Sequence, residues 1–179
     1  MKTLLLTLLG LAIATALWYQ LAQDVSLNPS ALSDKGRLVT SYLGTGVRTQ
    51  FTSDGKPADV LAIGKAERRE GSDETALSDI RFYSETADGA QWHIKSSAGL
   101  FFEEANELLL LDGVRVLEAT RKGTLETESM WLFIDKKRAT GNRDVVLTSP
   151  GSRTSGTGFE LDLARDTATL KGRVKTEYE

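Results

Sequence analysis

Thr167-Ala168-Thr169-Leu170-Lys171-Gly172-Arg173-Val174-Lys175-Thr176-Glu177-Tyr178 alternates from its first residue to its last. Ala168, Leu170, Gly172, Val174, Thr176 and Tyr178 share one parity. Thr169, Lys171, Arg173, Lys175 and Glu177 share the other. Successive strand residues project to opposite faces, so this pattern predicts one unbroken strand with a charge-free face and a charged face. Only Glu179 follows it, and a strand in that place is expected to be a sheet edge with unpaired N–H and C=O groups. The Lys171, Arg173, Lys175 row reads two ways. It is either a guard against aggregation or the flank of a strand reserved for a partner that adds to the sheet.

The same periodicity extends upstream. Trp92 and Ile94 share a face opposite His93 and Lys95; Val114 and Val116 flank Arg115; Phe159, Leu161 and Leu163 flank Glu160 and Asp162. Leu108 and Leu110 keep the parity of Val114. In Met130-Trp131-Leu132-Phe133-Ile134 both parities are apolar, and Met130, Leu132 and Ile134 are expected inward, with Trp131 and Phe133 on an outer or interface surface. Turn signals separate these runs: Ser53-Asp54-Gly55, Asp88-Gly89, Asp112-Gly113, Lys122-Gly123, Gly141-Asn142, Ser149-Pro150-Gly151 and Gly156-Thr157-Gly158. Short strands at this spacing indicate an all-β sandwich or barrel. Ala58 to Glu70 also reads as a short helix, and its Val60, Ala62 and Ala66 do not settle the matter. A weak repeat of roughly 30 residues runs through 92–178, as expected of stacked hairpins that bury one continuous apolar face.

At the other end, Leu4 to Leu21 is an uncharged stretch of 18 residues, preceded by Lys2 and followed by Asp24. That length suffices to span a bilayer. The charge asymmetry favours a cytoplasmic N-terminus, and Trp18 and Tyr19 suit the membrane interface. The competing reading is a cleaved signal peptide, for which Ala12-Ile13-Ala14 and Ala14-Thr15-Ala16 offer small-x-small sites. The apolar run continues beyond them, which favours a retained anchor over residues 1–22. Residues 23–40 are polar, contain Pro29, and read as a juxtamembrane linker. Residues 41–179 are then one exported β-domain, a size that supports its own core.

Composition narrows the chemistry. Lys plus Arg number 22 against 25 Asp plus Glu, a net charge of −3, which excludes the basic footprint of nucleic-acid binding. There is no cysteine, so neither disulfides nor thiol chemistry are available. The single histidine, His93, lies on the polar parity, and a zinc site would need mostly carboxylates. Glu103-Glu104 and Asp73-Glu74 are adjacent acids in turns; adjacent side chains diverge and do not converge on a substrate. Gly44-Thr45-Gly46 and Gly156-Thr157-Gly158 lack the following helix that a phosphate cradle requires. No catalytic site, metal site or cofactor is expected. What remains is binding: the inward face is either an ordinary core or the wall of a lipid-holding cavity, and the residue types are the same for both.

The chain resembles the LptC family, the bitopic inner-membrane component of the lipopolysaccharide transport bridge. The resemblance is carried by Trp92-His93-Ile94-Lys95, Leu111-Asp112-Gly113-Val114-Arg115-Val116, Leu125-Glu126-Thr127-Glu128, Thr154-Ser155-Gly156-Thr157-Gly158-Phe159 and Leu170-Lys171-Gly172-Arg173-Val174, in that order, behind an N-terminal anchor. It implies an all-β, twisted, open β-jellyroll after one transmembrane helix. The protein would sit in the inner membrane as a single span, with the C-terminal domain in the periplasm. The partners implied are lipopolysaccharide, an inner-membrane ABC transporter complex, and a soluble periplasmic bridge protein of the same fold that docks by β-augmentation. Carried over by position, the lipid groove would be lined by Trp92, Ile94, Leu110, Val114, Val116, Met130, Leu132, Val145, Leu147, Phe159, Leu161, Ala168, Leu170, Val174, Thr176 and Tyr178. A transporter-side edge strand would run from Tyr42 to Phe51 through Val47 and Thr49. A bridge-side edge would run from Arg173 through Lys175 to Tyr178. The alternative is a membrane-anchored β-adaptor that binds no lipid and docks partners through its edges alone.

Overall fold

The computed structural model describes residues 39–86 and 89–178. The expected anchor and nearly all of the expected linker lie outside the described residues. The first strand begins at Val39, inside the stretch read as linker. Every regular element among the described residues is a strand, and all sixteen belong to one antiparallel sheet.

The chain runs as a simple meander. β1 (Val39–Leu43) and β2 (Gly46–Phe51) make the first run, β3 (Pro57–Ile63) and β4 (Lys65–Arg69) the second. β5 (Glu74–Glu85) and β6 (Gln91–Phe102) are each a run in themselves. Then follow β7 (Glu107–Leu111) with β8 (Val114–Glu118), β9 (Gly123–Thr127) with β10 (Met130–Phe133), β11 (Arg138–Gly141) with β12 (Val145–Ser149), β13 (Ser152–Gly156) with β14 (Phe159–Asp162), and β15 (Thr167–Leu170) with β16 (Lys175–Tyr178). Each run pairs only with the run before it and the run after it. Runs begin at 91, 107, 123, 138, 152 and 167, so the structural unit is half the length of the expected repeat.

Every run bends near its middle, and the bends line up into a crease. β6 shows the consequence: residues 92–95 pair with β8, while residues 98–102 pair with β7. The sheet thus divides into two leaves. One holds β1, β4, β7, β10, β11, β14 and β15; the other holds β2, β3, β8, β9, β12, β13 and β16; β5 and β6 cross both. The crease needs backbone that ordinary strand residues do not adopt. Asp79, Asp112, Gly113 and Gly172 have φ of 52°, 59°, 85° and 63°. Ser96 fastens the bend: its Oγ accepts the Leu111 N–H at 3.2 Å, and the Ala98 carbonyl oxygen lies 2.8 Å away as an acceptor.

Opposite the crease lies a rim of turns. Asn106, Lys122, Lys137 and Asp166 close four of them with φ of 50–59°, the left-handed residue that ends a four-residue hairpin connection. The β8–β9 turn is also capped. Burial alone would raise the pKa of Glu118, but its carboxylate accepts the N–H groups of Arg121 at 2.5 Å and Thr120 at 2.9 Å. These hydrogen bonds outweigh the desolvation and hold the carboxyl below the usual range.

The leaves face each other across one apolar core. Leu108, Leu132, Ala139 and Leu163 are fully buried, and Ile80, Ile94, Met130 and Phe159 nearly so. Glycine serves the packing at Gly99, where a Cβ would sit 2.6 Å from both Ile80 Cδ1 and the Leu109 carbonyl oxygen.

One expectation needs correction, and one open reading is settled. Thr167 to Tyr178 is not one unbroken strand: Gly172, in the left-handed region, splits it into β15 and β16 on different leaves. Ala58 to Glu70 is not a helix but β3 and β4 on either side of Gly64, and the inward Asp59, Leu61 and Ala66 are buried in the sheet.

Two stability predictions follow from this backbone. Gly172→Ala forces a side chain into left-handed backbone against Thr157 Oγ1 and is expected to lower unfolding free energy by about 1–2 kcal/mol in urea titrations. Glu118→Gln is expected to lose about 1–2 kcal/mol at neutral pH. Because the folded carboxyl titrates below its unfolded value, its stabilisation is present above pH 4.5 and fades as pH falls through the folded value. The gap between wild type and variant should therefore narrow in acid.

Candidate functional site

The strand registers place side chains in rows that cross the leaves. On one leaf, Arg48, Leu61, Phe82, Ile94, Val116, Leu125, Leu147, Thr154 and Thr176 stand opposite one another in succession from β2 to β16. On the other, Phe101, Leu108, Leu132, Ala139, Leu161 and Ala168 do the same from β6 to β15. A second row there runs through Leu43, Ala66, Leu77, Gly99, Leu110 and Met130. The inner face is therefore continuous across the meander. It becomes polar near β2 and β3, where Arg48 and Asp59 occupy inward positions.

Most of the expected groove residues come together in this face. Trp92, Ile94, Leu110, Val114, Val116, Met130, Leu132, Val145, Phe159 and Leu161 are buried in a single cluster, and Leu147 and Leu170 pack against it. Trp131 and Phe133 are half-buried on the outer face, where Trp131 lies 5.4 Å from the Phe102 ring. The remaining four are exposed. Ala168 and Thr176 hold their inward registers on the last run, where no further strand covers them, and Thr176 Oγ1 lies 3.0 Å from Thr154 Oγ1. Val174 lies at the crease, 52 % exposed, and Tyr178 is 83 % exposed opposite Ser152.

Among the described residues both ends of the meander are open edges. β1 pairs only with β4 and β2 only with β3, so the run containing Tyr42, Val47, Thr49 and Phe51 has a free side on both leaves. Tyr42, Val47 and Phe51 are about two-thirds exposed. β15 and β16 form the opposite edge, with Lys175 exposed and paired to Glu177 at 2.7 Å. Arg173, just before β16, is exposed too.

Three polar ties cross between the leaves, and alternation did not reveal them. Arg48 donates to Asn106 Oδ1 at 3.0 Å, and Asn106 Nδ2 donates to Asp135 at 2.6 Å. Lys137 forms an ion pair with buried Asp59 and donates to Ser84 Oγ at 2.9 Å. Arg121 pairs with Asp166 Oδ2 at 2.6 Å and donates to its carbonyl oxygen at 3.1 Å. The cations lie in turns or on an edge strand, where parity says nothing. The legible signal was the polar residue at an inward position: Asp59 two residues from Leu61, and Ser84 two from Phe82.

Between β8, β9 and β12 of one leaf and β14 and β15 of the other lies a cavity of about 240 Å³. Trp92, Val116, Leu125, Leu147, Leu161 and Ala168 form its apolar lining; Glu118, Arg121 and Asp166 stand at its rim. Among the described residues no group of three or more His, Cys, Asp or Glu is placed to hold a metal ion. His93 lies on the outer face against the Tyr83 ring, 5.1 Å away. What the arrangement offers chemically is an apolar interior with hydrogen-bonding edges at both ends.

Comparison with known proteins gives this architecture its context. No curated protein matches the chain significantly. Among solved structures, LptH of Pseudomonas aeruginosa, described as the LptA homologous periplasmic component of the lipopolysaccharide transport device, aligns with a TM-score of 0.49 at 11% identity. The alignment covers 75% of this chain and 95% of that one. The family model described as "Lipopolysaccharide-assembly, LptC-related" matches residues 4–179. That family is a non-enzymatic component of lipopolysaccharide transport. By that match over nearly its whole length, the chain belongs to the LptC family.

Proposed function

We propose that the protein passes lipopolysaccharide along the inner face of its creased sheet, taking it from an inner-membrane ABC transporter and handing it to a soluble periplasmic bridge protein of the same fold. The observation that carries this reading is the continuity of the inward rows from the β1–β2 edge to the β15–β16 edge. An acyl chain cannot cross an aqueous compartment bare, since each exposed methylene costs about 0.8 kcal/mol. An inner face that is apolar over most of its length lowers that cost along the path, and strand addition at each edge extends the face into the neighbouring protein.

The sixteen residues of the expected groove are proposed as its lipid-facing wall. The run containing Tyr42, Val47, Thr49 and Phe51 serves as the transporter-side edge; Arg173, Lys175 and Tyr178 mark the bridge-side edge. Leu4 to Leu21 anchors the chain as a single span, N-terminus in the cytoplasm and β-domain in the periplasm. No step requires catalysis by this chain; direction comes from ATP hydrolysis in the transporter.

Photocrosslinking in cells tests this directly. A probe at Leu147, on the inward row, is expected to give a lipopolysaccharide adduct, and a probe at its exposed neighbour Thr148 is not. Protein adducts with no lipid at either position would replace the conduit with an adaptor that joins its partners by edges alone. Removing residues 173–179 is expected to abolish capture of the bridge protein while the domain stays folded by circular dichroism. Undiminished capture would move the docking edge elsewhere.

A further inference from the structure

On the outer face of the leaf that holds β2, β3 and β8, three cations stand in direct register across neighbouring strands. Arg81 on β5 is opposite Lys95 on β6, and Lys95 is opposite Arg115 on β8. All three are exposed, while Ile80, Phe82, Ile94, Val114 and Val116, which alternate with them, are buried. Adjacent strands lie about 4.8 Å apart, so the row spans about 10 Å. Like charges directly opposite each other in a sheet oppose its formation. The chain as a whole carries a net charge of −3, so this concentration of positive charge is not a background property.

Nothing among the described residues neutralises the row. Neither Arg81 nor Lys95 forms an ion pair there. Arg115 has Glu126 at 3.8 Å, with both side chains more than half exposed, and pairs of that kind hold weakly. Glu85, further along the same face of β5, accepts the Tyr83 hydroxyl at 2.6 Å. A second row runs beside the first: Tyr83, His93 and Leu117 are opposite one another on the same three strands. The Tyr83 and His93 rings are 5.1 Å apart, and Leu117 is 37 % exposed.

The two rows together select the occupant. Charge spread over three strands suits an acidic group that is itself spread out, rather than one small anion. Aromatic residues and arginine side by side are the composition of protein interfaces. A bilayer surface would call for apolar side chains that insert, and Leu117 is the one exposed large hydrophobic among these six residues.

We propose that this patch docks an acidic segment of a partner protein, with its carboxylates laid along Arg81, Lys95 and Arg115 and an apolar side chain set against Tyr83, His93 and Leu117. Val47 on β2 and Ala62 on β3 continue the charged row to the β1–β2 edge. A partner that adds a strand at that edge has the patch within reach. The patch lies on the opposite face of the sheet from the lipid passage, and it stands or falls independently of that reading.

The test titrates the full chain, in maltoside micelles, with a fluorescein-labelled peptide of about eight residues, enough to span the row when extended. Glutamate alternates with serine around one leucine, and fluorescence anisotropy is the readout. Wild type is expected to bind this peptide and to ignore its glutamine counterpart. The triple variant Arg81→Gln, Lys95→Gln, Arg115→Gln is expected to bind about tenfold more weakly, the worth of three exposed ion pairs. Lys56→Gln, in the β2–β3 turn, is expected to bind as wild type does. Lys95→Gln alone should raise the thermal unfolding midpoint of the peptide-free chain; an unchanged or lowered midpoint removes the like-charge cost on which the proposal stands. Equal binding by wild type and the triple variant, or no binding by wild type, overturns the docking surface. So does displacement of the peptide by phosphatidylglycerol mixed into the micelles, which gives the row to an anionic bilayer, or by inorganic phosphate, which makes it a site for small anions. None of these outcomes bears on lipid transfer, which crosslinking at Leu147 reads separately.

Discussion

An apolar face carried by most strands of a wide sheet cannot remain in water. A barrel would hide it by closing the sheet on itself, at the expense of both edges. Here the face is hidden by a crease. Each run bends at its middle, and its two halves turn their inward residues toward each other, so Leu108, Leu132 and Leu163 lose all contact with solvent. The bend depends on left-handed backbone at Asp79, Asp112, Gly113 and Gly172, and on the Ser96 hydroxyl that ties the two halves of the neighbouring runs. The core, the two open edges and the cavity beside Trp92 all follow from that bend. Without it the meander would be a flat ribbon with one greasy side.

How much of this could be read from the chain differs by scale. The inward residues of β6, β8, β10 and β14 were legible because alternation is a local property: Trp92 and Ile94, or Phe159 and Leu161, carry their own evidence. The crease was not legible, because a bent run and two short strands leave the same alternation. Thr167 to Tyr178 keeps one parity straight through Gly172, and only the backbone shows that the pattern passes from one leaf to the other there. The Asp112-Gly113 signal reads as a turn, and it is the corner between β7 and β8 within one run. The polar ties escaped for a different reason. Lys137, Arg121 and Asp166 sit in turns, and what they meet lies on the opposite leaf, up to 78 residues away in the case of Asp59.

The edges and the interior divide the work between two kinds of interaction. Within the core, apolar burial fixes the leaves without regard to direction. At the first and last runs the backbone groups on one side have no partner in the sheet, and those groups are directional and saturable. Belonging to the LptC family gives each part a context: a role in lipopolysaccharide transport calls for a surface that tolerates hydrocarbon and for ends that recognise neighbours.

The meander has a topological consequence. Because each run touches only its predecessor and successor, every pairing is sequentially adjacent, and no strand must thread back across the chain. Contact order is low for an all-β protein, and assembly can proceed as a zipper in which each new run finds a template already standing. Among the described residues the terminal runs are held from one side only, so local opening there is less expensive than in the interior. A strand supplied by another molecule meets the last run on the terms that the last run met its predecessor. Joining such a partner is then the continuation of folding beyond the end of the chain.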